Sequence, residues 1–156
     1  MKFDEGITKR LADFFEQKDW AYDYDTIHGV FSIEADLQCK FGSALVVYQA
    51  MDEAFLTYTT IAEEAKSDVR PIVAEYLHRA NYGLPNGNFE FSYDDGAVHF
   101  KTYFDCPGGN VTDKQLEDSM AIGLTLFDRY GDGLYEIMRS TNIAKSLIEK
   151  IEEQEG

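Results

Sequence analysis

Hydrophobic residues first recur at helical spacing. Phe3, Ile7, Leu11, Phe14 and Phe15 return every three or four positions, which predicts an amphipathic helix over residues 3–18. From Trp20 to Ile61 the pattern changes to short alternating runs, "WAYDYD", "GVFSIEADL", "ALVVYQA" and "FLTYTTIA", separated by polar or glycine-containing breaks. These runs predict four strands of an antiparallel meander.

A second helical stripe follows the four runs. Ser67 and Asp68 are candidate N-cap residues, and Pro71 is tolerated in the first turn of a helix. Gly83 suits the left-handed position that ends a helix. The apolar positions of this stripe are Val69, Ile72, Val73, Tyr76, Leu77 and Ala80.

The next segment predicts a hairpin over residues 87–104. The turn "LPNG" reverses the chain into "NFEFSY", where aromatic and polar residues alternate. We expect Asp95 and Gly96 to form a two-residue type I′ turn. The resulting register places Phe91 opposite Phe100 and Glu90 opposite Lys101, so aromatic residues meet on one face and opposite charges on the other.

A third helical pattern begins near Thr112 and Asp113. Its apolar positions are Leu116, Met120, Leu124 and Phe127. Gly131 and Gly133 are predicted to end or bend this helix, because glycine is a poor helix former. The last segment, "NIAKSLIEKIEEQEG", is amphipathic and becomes an acidic tail over residues 149–156.

The order of elements predicts an α+β fold, an antiparallel meander sheet with helices packed on one face. The 156 residues suit a single domain, residues 1–156. Hydrophobic residues make up 44% and aromatic residues 14% of the chain, which excludes a disordered protein despite a net charge of −15.

Charge and chain ends restrict the partners. With 29 acidic and 14 basic residues, the chain offers no basic stripe, so nucleic acid and anionic membranes are not expected partners. The amino terminus lacks the apolar run of a signal peptide, and no stretch of eighteen apolar residues occurs, so we expect a cytoplasmic protein. Cys39 and Cys106 show no CxxC or Cys/His spacing and are predicted to be reduced thiols.

The segment "VAEYLHRANYGLPNGNFEFSYDDGAVHFKT", followed after a gap by "FDRY", resembles the YbjN family, a family labelled bacterial sensory transduction regulators. The resemblance covers roughly residues 45 to 138, and the ordered combination of "RANYGL", "GNFE", a DG hairpin and "KT" is more specific than any single motif. It implies a fold similar to that of type III secretion chaperones: a helix, a meander, a helix, a hairpin and a closing helix. The residue pattern by itself predicts the same order.

Candidate chemistry is sparse. His28, His78 and His99 fall in a predicted loop, helix and strand without a ligand at metal-binding spacing. The segment "DRYGDGLYEIMR" resembles a calcium loop only partly, because Tyr130 and Arg139 occupy positions that require oxygen ligands. No nucleophile with an evident base and no cofactor motif is present, so we predict no enzyme activity, no catalytic or metal site and no cofactor.

Two classes of function remain. The first is a non-catalytic protein-binding module, regulatory or chaperone-like, with an unidentified protein partner. The alternative is a small-molecule sensor or unrecognised enzyme with a pocket beneath the aromatic core, which a deep polar-lined cavity would favour.

Asn81 and Tyr82 are weak candidates for partner contact. The structural interpretation has Asn81 bonding backbone at the helix end while Tyr82 covers the core. We also predict a homodimer, since type III secretion chaperones commonly work as dimers and an open sheet has edges that need cover. Its interface is expected on the open sheet or the carboxy-terminal helices.

Overall fold

The computed structural model describes residues 2–139 and Glu153. Helix α1 (Glu5–Gln17) comes first and is capped by Asp4, whose Oδ1 accepts hydrogen bonds from the amides of Gly6 and Ile7 at 2.7 and 3.3 Å. The remaining strands and α-helices, in chain order, are β1 (Asp23–Asp25), β2 (Val30–Asp36), β3 (Ser43–Met51), β4 (Ala54–Thr60), α2 (Arg70–Asn81), β5 (Asn88–Phe91), β6 (Val98–Asp105) and α3 (Asp113–Arg139).

The six strands form one sheet with the order β1-β2-β3-β4-β6-β5, in which every neighbouring pair is antiparallel. Strands β1 to β4 are a meander, as predicted. The α+β prediction, an open antiparallel sheet with helices on one face, is therefore confirmed.

All three helices pack against the same face of the sheet, called the inner face below. Helix α1 places Leu11 and Phe15 against Phe31 and Tyr48, whereas α2 places Val73 and Leu77 near the other sheet edge. Helix α3 contributes residues to both apolar clusters and so joins them. The interior is filled largely by aromatic side chains: the rings of Phe15 and Tyr48 meet edge-to-face with centroids 4.9 Å apart.

The start of α2 differs from the prediction. The N-cap residue is Val69, with no side-chain cap, so neither Ser67 nor Asp68 caps the helix. Pro71 does lie in the first turn, and Gly83 has the predicted left-handed backbone, with φ of 82°.

The predicted hairpin exists, but its register is wrong by two residues. Phe89 pairs with Phe100 and Glu90 pairs with His99, because residues 92–97 form a longer loop than a two-residue turn. In this loop Gly96 alone has positive φ, whereas a type I′ turn needs two such residues. A two-residue shift keeps every side chain on its predicted face, so the aromatic and charged faces remain as expected.

The glycines of α3 do not end or bend the helix, which continues through both to Arg139. They allow close packing instead. A Cβ atom at Gly131 would lie 2.6 Å from the Sγ of Cys39, and one at Gly133 would overlap the Tyr76 hydroxyl. The predicted amphipathic segment after Arg139 and its acidic tail lie outside the described residues, apart from Glu153.

Candidate protein-binding face

The second face of the sheet, called the outer face, is covered by none of the three described helices. The strand registers place Val47 beside Tyr58, and in the adjacent row Leu56 beside Tyr103. Leu45 continues the same face along β3. Leu45 is 39% and Tyr103 51% exposed. These five residues form a contiguous apolar patch across three central strands, called the outer patch below.

A polar cluster adjoins the outer patch. The two carboxylate oxygens of Glu90 lie 2.8 Å from Nε2 of His99 and 2.9 Å from Nζ of Lys101. Burial opposes ionisation of Glu90, but the hydrogen bonds from His99 and Lys101 outweigh it, so the pKa of Glu90 is lowered. The ring of Tyr58 meets that of His99 edge-on, with centroids 5.0 Å apart, which links the cluster to the patch.

A shallow groove lies between α2 and α3. It has a volume of about 270 Å³ and its apolar walls are formed by Ile72, Tyr76 and Ile137. The Tyr76 hydroxyl donates to the carbonyl of Tyr130 at 2.7 Å, which holds the two helices together. This volume is below the usual range of small-molecule sites, roughly 300 Å³ upward.

Both cysteines are buried free thiols. Burial raises the pKa of Cys106 to about 11, and burial is also the main cause of the raised pKa of Cys39. Because the thiolate is the nucleophilic form, these environments suit structural thiols rather than reactive ones.

The acidic residues of the calcium-like segment lie on helix α3 and not in a loop. Oδ1 of Asp128 accepts hydrogen bonds from the amides of Gln38 and Cys39 at 2.8 and 3.1 Å. Oδ1 of Asp132 accepts from the amide of Lys40 at 2.9 Å, and Glu136 binds the Lys40 ammonium group. The acids therefore hold the turn after β2 against the helix.

The three histidines lie on different elements of the fold. His28 is exposed and contacts Asp25, with 2.7 Å between Nδ1 and Oδ2; His78 is exposed on α2, and His99 is on the outer face. Within residues 2–139 and at Glu153, no group of three or more His, Cys, Asp and Glu side chains is arranged to hold a metal ion.

Asn81 and Tyr82 point to different surroundings. The Asn81 amide bonds both backbone groups of Phe89: Nδ2 donates to its carbonyl at 3.0 Å and Oδ1 accepts from its amide at 2.7 Å. Asn81 thus joins the end of α2 to β5. Tyr82 is 93% exposed, so the interpretation that it covers the core is wrong.

Sequence reasoning missed the outer patch. A signal was present in "ALVVYQA", where Leu45 and Val47 are apolar on the face opposite Val46 and Tyr48. A half-buried antiparallel strand normally alternates apolar and polar residues. Apolar residues at both odd and even positions of a strand therefore indicate that the second face of the sheet is not simply a polar, solvent-facing surface.

None of the described helices has both the length and the apolarity needed to cross a membrane.

Residues 8–136 match the YbjN family, described as "Putative bacterial sensory transduction regulator". The match extends farther toward the amino terminus than the resemblance seen at 45–138. A solved structure, "YbjN, a putative transcription regulator from E. coli", aligns with a TM-score of 0.54 and 12% identity, covering 79% of this chain and 90% of that one. At that identity the likeness concerns the fold alone. No curated protein sequence matches the chain.

Proposed function

This chain belongs to the YbjN family, and from that premise and its outer face we propose that it is a non-catalytic protein-binding module with a regulatory role. The outer patch is the observation that carries the proposal. It brings Val47, Leu56, Tyr58 and Tyr103 together on a face without a helix. Contiguous apolar surface of this kind marks protein interaction sites, and aromatic residues are enriched in their centres.

The interior of the protein supports the same proposal. Aromatic side chains such as Phe15, Phe55 and Phe127 fill the space beneath the sheet. The α2–α3 groove is apolar, and the larger cleft of about 570 Å³ beside Trp20, Glu34 and Leu45 opens at the sheet edge toward the outer face. Neither is the polar-lined pocket beneath the aromatic core that a sensor or enzyme site would need. We therefore prefer protein binding to the small-molecule sensor or unrecognised enzyme.

We propose that a second copy of the chain is one partner of the outer patch. The net charge of −15 per chain opposes this pairing. Such repulsion is screened beyond roughly 10 Å at 0.1 M salt, whereas apolar contact is not. The dimer is therefore expected to persist or strengthen as salt rises.

Light scattering across protein and salt concentrations tests the dimer, and three exposed tyrosines supply matched variants. Tyr103→Glu, in the outer patch, is expected to give a monomer at every concentration. Tyr93→Glu, in the 92–97 loop and 58% exposed, should leave the dimer intact. If Tyr82→Glu is the variant that disrupts assembly, the interface lies at the end of α2 and not on the outer face.

A wild-type chain that is monomeric under all conditions contradicts the dimer. The wider binding proposal is then tested by crosslinking. A photoreactive residue at position 103 should capture defined proteins from the source cell that one at position 93 does not. Equal capture by both positions contradicts the outer patch as a binding site.

A further inference from the structure

Strand β2 has a free stretch of edge. The short strand β1 pairs with β2 only through Asp23, Tyr24 and Asp25. This pairing covers β2 from Val30 to Ser32 and goes no farther along the strand. The chain preceding β1 turns away toward α1: Asp19 has a left-handed backbone, and the amide of Trp20 donates to the carbonyl of Phe15 at 3.0 Å. Residues 33–36 of β2 consequently have β3 on one side and no strand on the other within residues 2–139.

The backbone groups along this edge alternate in direction. The amide of Leu37 donates to Gly42, and the carbonyl of Gly29 accepts from Ala50, so odd-numbered positions of β2 bond toward β3. In an antiparallel pair, alternate residues direct both polar backbone groups to the same neighbour. Glu34 and Asp36 therefore direct their N–H and C=O groups outward, and the described part of the chain provides no hydrogen-bond partner for them.

Clefts lie on both sides of the free edge. One, of about 570 Å³, opens toward the outer face beside Glu34 and Leu45. The other, of about 310 Å³, opens toward the inner face, where Met120 and Leu124 of α3 line it. Trp20 lines both clefts. An added strand directs successive side chains to opposite faces, so each cleft would receive every second side chain.

The free edge is acidic. Asp19, Asp23 and Glu34 line the outer cleft, Glu34 and Asp36 line the inner one, and no Lys or Arg is among the lining residues. None of the four carboxylates forms an ion pair within the described residues. The inner cleft also offers apolar contact through Trp20 and α3.

We propose that residues 33–36 bind an extended segment of a partner protein by strand addition, and that basic and apolar residues alternate in this segment. The basic residues of the segment lie opposite Glu34 and Asp36. Their backbone N–H and C=O groups form hydrogen bonds with the outward-directed backbone groups of Glu34 and Asp36. Its apolar residues enter the cleft at Trp20 and Met120. Main-chain hydrogen bonds supply affinity in this mode of recognition, and alternate side-chain pockets supply specificity.

Charge distinguishes this occupant from a second copy of the chain. Pairing two β2 edges would bring the Glu34 and Asp36 carboxylates of both copies together, and like charges on neighbouring strands destabilise pairing. The same carboxylates attract a basic segment. This site shares Leu45 with the outer patch, but its backbone edge and its acidic residues lie outside the patch, so variants at Glu34 and at Tyr103 test the two proposals separately.

The probe is the pentapeptide acetyl-Val-Lys-Val-Lys-Val-amide, titrated at 0.1 M salt into the full chain. Trp20 is the protein's single tryptophan, so its fluorescence reports the cleft directly. We expect a saturable change below about 1 mM peptide. Nuclear magnetic resonance should show the largest shifts at the amides of residues 33–36.

Two modified peptides separate strand addition from charge attraction. N-methylation of both lysines removes the N–H groups that face β2 and should weaken binding at least about fivefold. N-methylation of the two outer valines places the methyl groups on the side away from β2 and should weaken binding less than twofold. Equal weakening by the two modifications overturns the proposal.

Two matched variants test the acidic edge. Glu34→Gln should weaken binding about two- to fivefold, the range expected for an exposed ion pair. Glu64→Gln removes an exposed carboxylate elsewhere and should leave binding unchanged. The proposal is overturned if the unmodified peptide does not bind, or if its shifts fall at Tyr58 and Tyr103. Tyr103→Glu, which tests the outer patch, should not alter peptide affinity.

Discussion

The phenolic oxygen of Tyr48, at the centre of the sheet, lies 2.6 Å from the Oγ of Ser119 on α3, and both side chains are buried. The Ser119 hydroxyl donates its proton to the carbonyl of Leu116, with 2.7 Å between the two oxygen atoms. A serine hydroxyl has one proton, so Tyr48 is the donor to Ser119. This hydrogen bond joins the sheet to the helix that spans both halves of the core.

The direction of that hydrogen bond predicts an unequal response to mutation. Ser119→Ala leaves a buried phenol without an acceptor and should cost about 1–3 kcal/mol of the free energy of unfolding. Tyr48→Phe removes the donor but leaves Ser119 bonded to Leu116, so about 0.5–1.5 kcal/mol is expected. Urea denaturation of both single variants measures these values.

The double variant gives the sharper test. Adding Tyr48→Phe to Ser119→Ala removes the stranded hydroxyl, so the double variant should be more stable than Ser119→Ala alone. Tyr24→Phe is the control, because the hydroxyl hydrogen bonds among the described tyrosines are those of Tyr22, Tyr48 and Tyr76 and do not include Tyr24. A double variant less stable than either single one would refute the assigned direction.

Gly131 is predicted to resist substitution although it lies within a helix. Alanine normally stabilises a helix by about 1 kcal/mol over glycine. At position 131, however, its Cβ would crowd Cys39, and overpacking costs about 1–3 kcal/mol, so Gly131→Ala should be destabilising. Thr125→Ala, at an exposed site on the same helix, should raise the free energy of unfolding by about 0.5 kcal/mol. Stabilisation by both substitutions would mean that Gly131 serves no packing role.

Asp128 and Asp132 are predicted to stabilise the fold without calcium. Asp132→Ala and Asp128→Ala should each cost about 1–2 kcal/mol, because each leaves backbone amides of the 38–40 turn without an acceptor. Asp128→Asn retains an acceptor oxygen and should cost less. A ligand that binds only the native state must raise the melting temperature, and we expect no calcium to bind here. Neither millimolar EDTA nor added calcium should therefore change the melting temperature. A calcium-dependent rise that Asp132→Ala abolishes would contradict this prediction.

The polar cluster predicts a pH-dependent contribution from Glu90. Its pKa in the folded protein is below the ordinary value of 4.5, so the folded state favours the ionised form. The contribution is present above pH 4.5 and is lost as pH falls through the lower, folded-state pKa. The partners that favour ionisation are His99 and Lys101 of β6.

Denaturation of the wild type and Glu90→Gln from pH 3 to pH 7 measures this contribution. We expect a difference below about 1 kcal/mol at neutral pH, because the cluster is partly exposed. The difference should shrink as the solution is acidified below pH 4.5. Glu64→Gln should show no such trend. A Glu90→Gln difference that grows on acidification would contradict the assignment.

The sequence alone determined the type and order of the elements in this protein. The spacing of residues such as Leu11 and Phe15 is a local helical pattern, and the alternation in β2 to β4 is a local strand pattern. Local backbone rules also placed the left-handed Gly83 and the reversal before β5 correctly. The face assignment of the hairpin survived an error in register, because a shift of two residues does not change which way a side chain points.

Only the tertiary structure decided what depends on residues distant in the chain. Gly131 reads locally as a helix breaker, yet its contact with Cys39, ninety-two positions earlier, makes glycine the residue that fits. Asp132 reads as a fragment of a calcium loop, whereas its oxygen binds the Lys40 amide. The outer patch and the free edge of β2 likewise arise from strand pairing and from where β1 stops. No local pattern contains those long-range contacts, because they form only when the whole sheet is assembled.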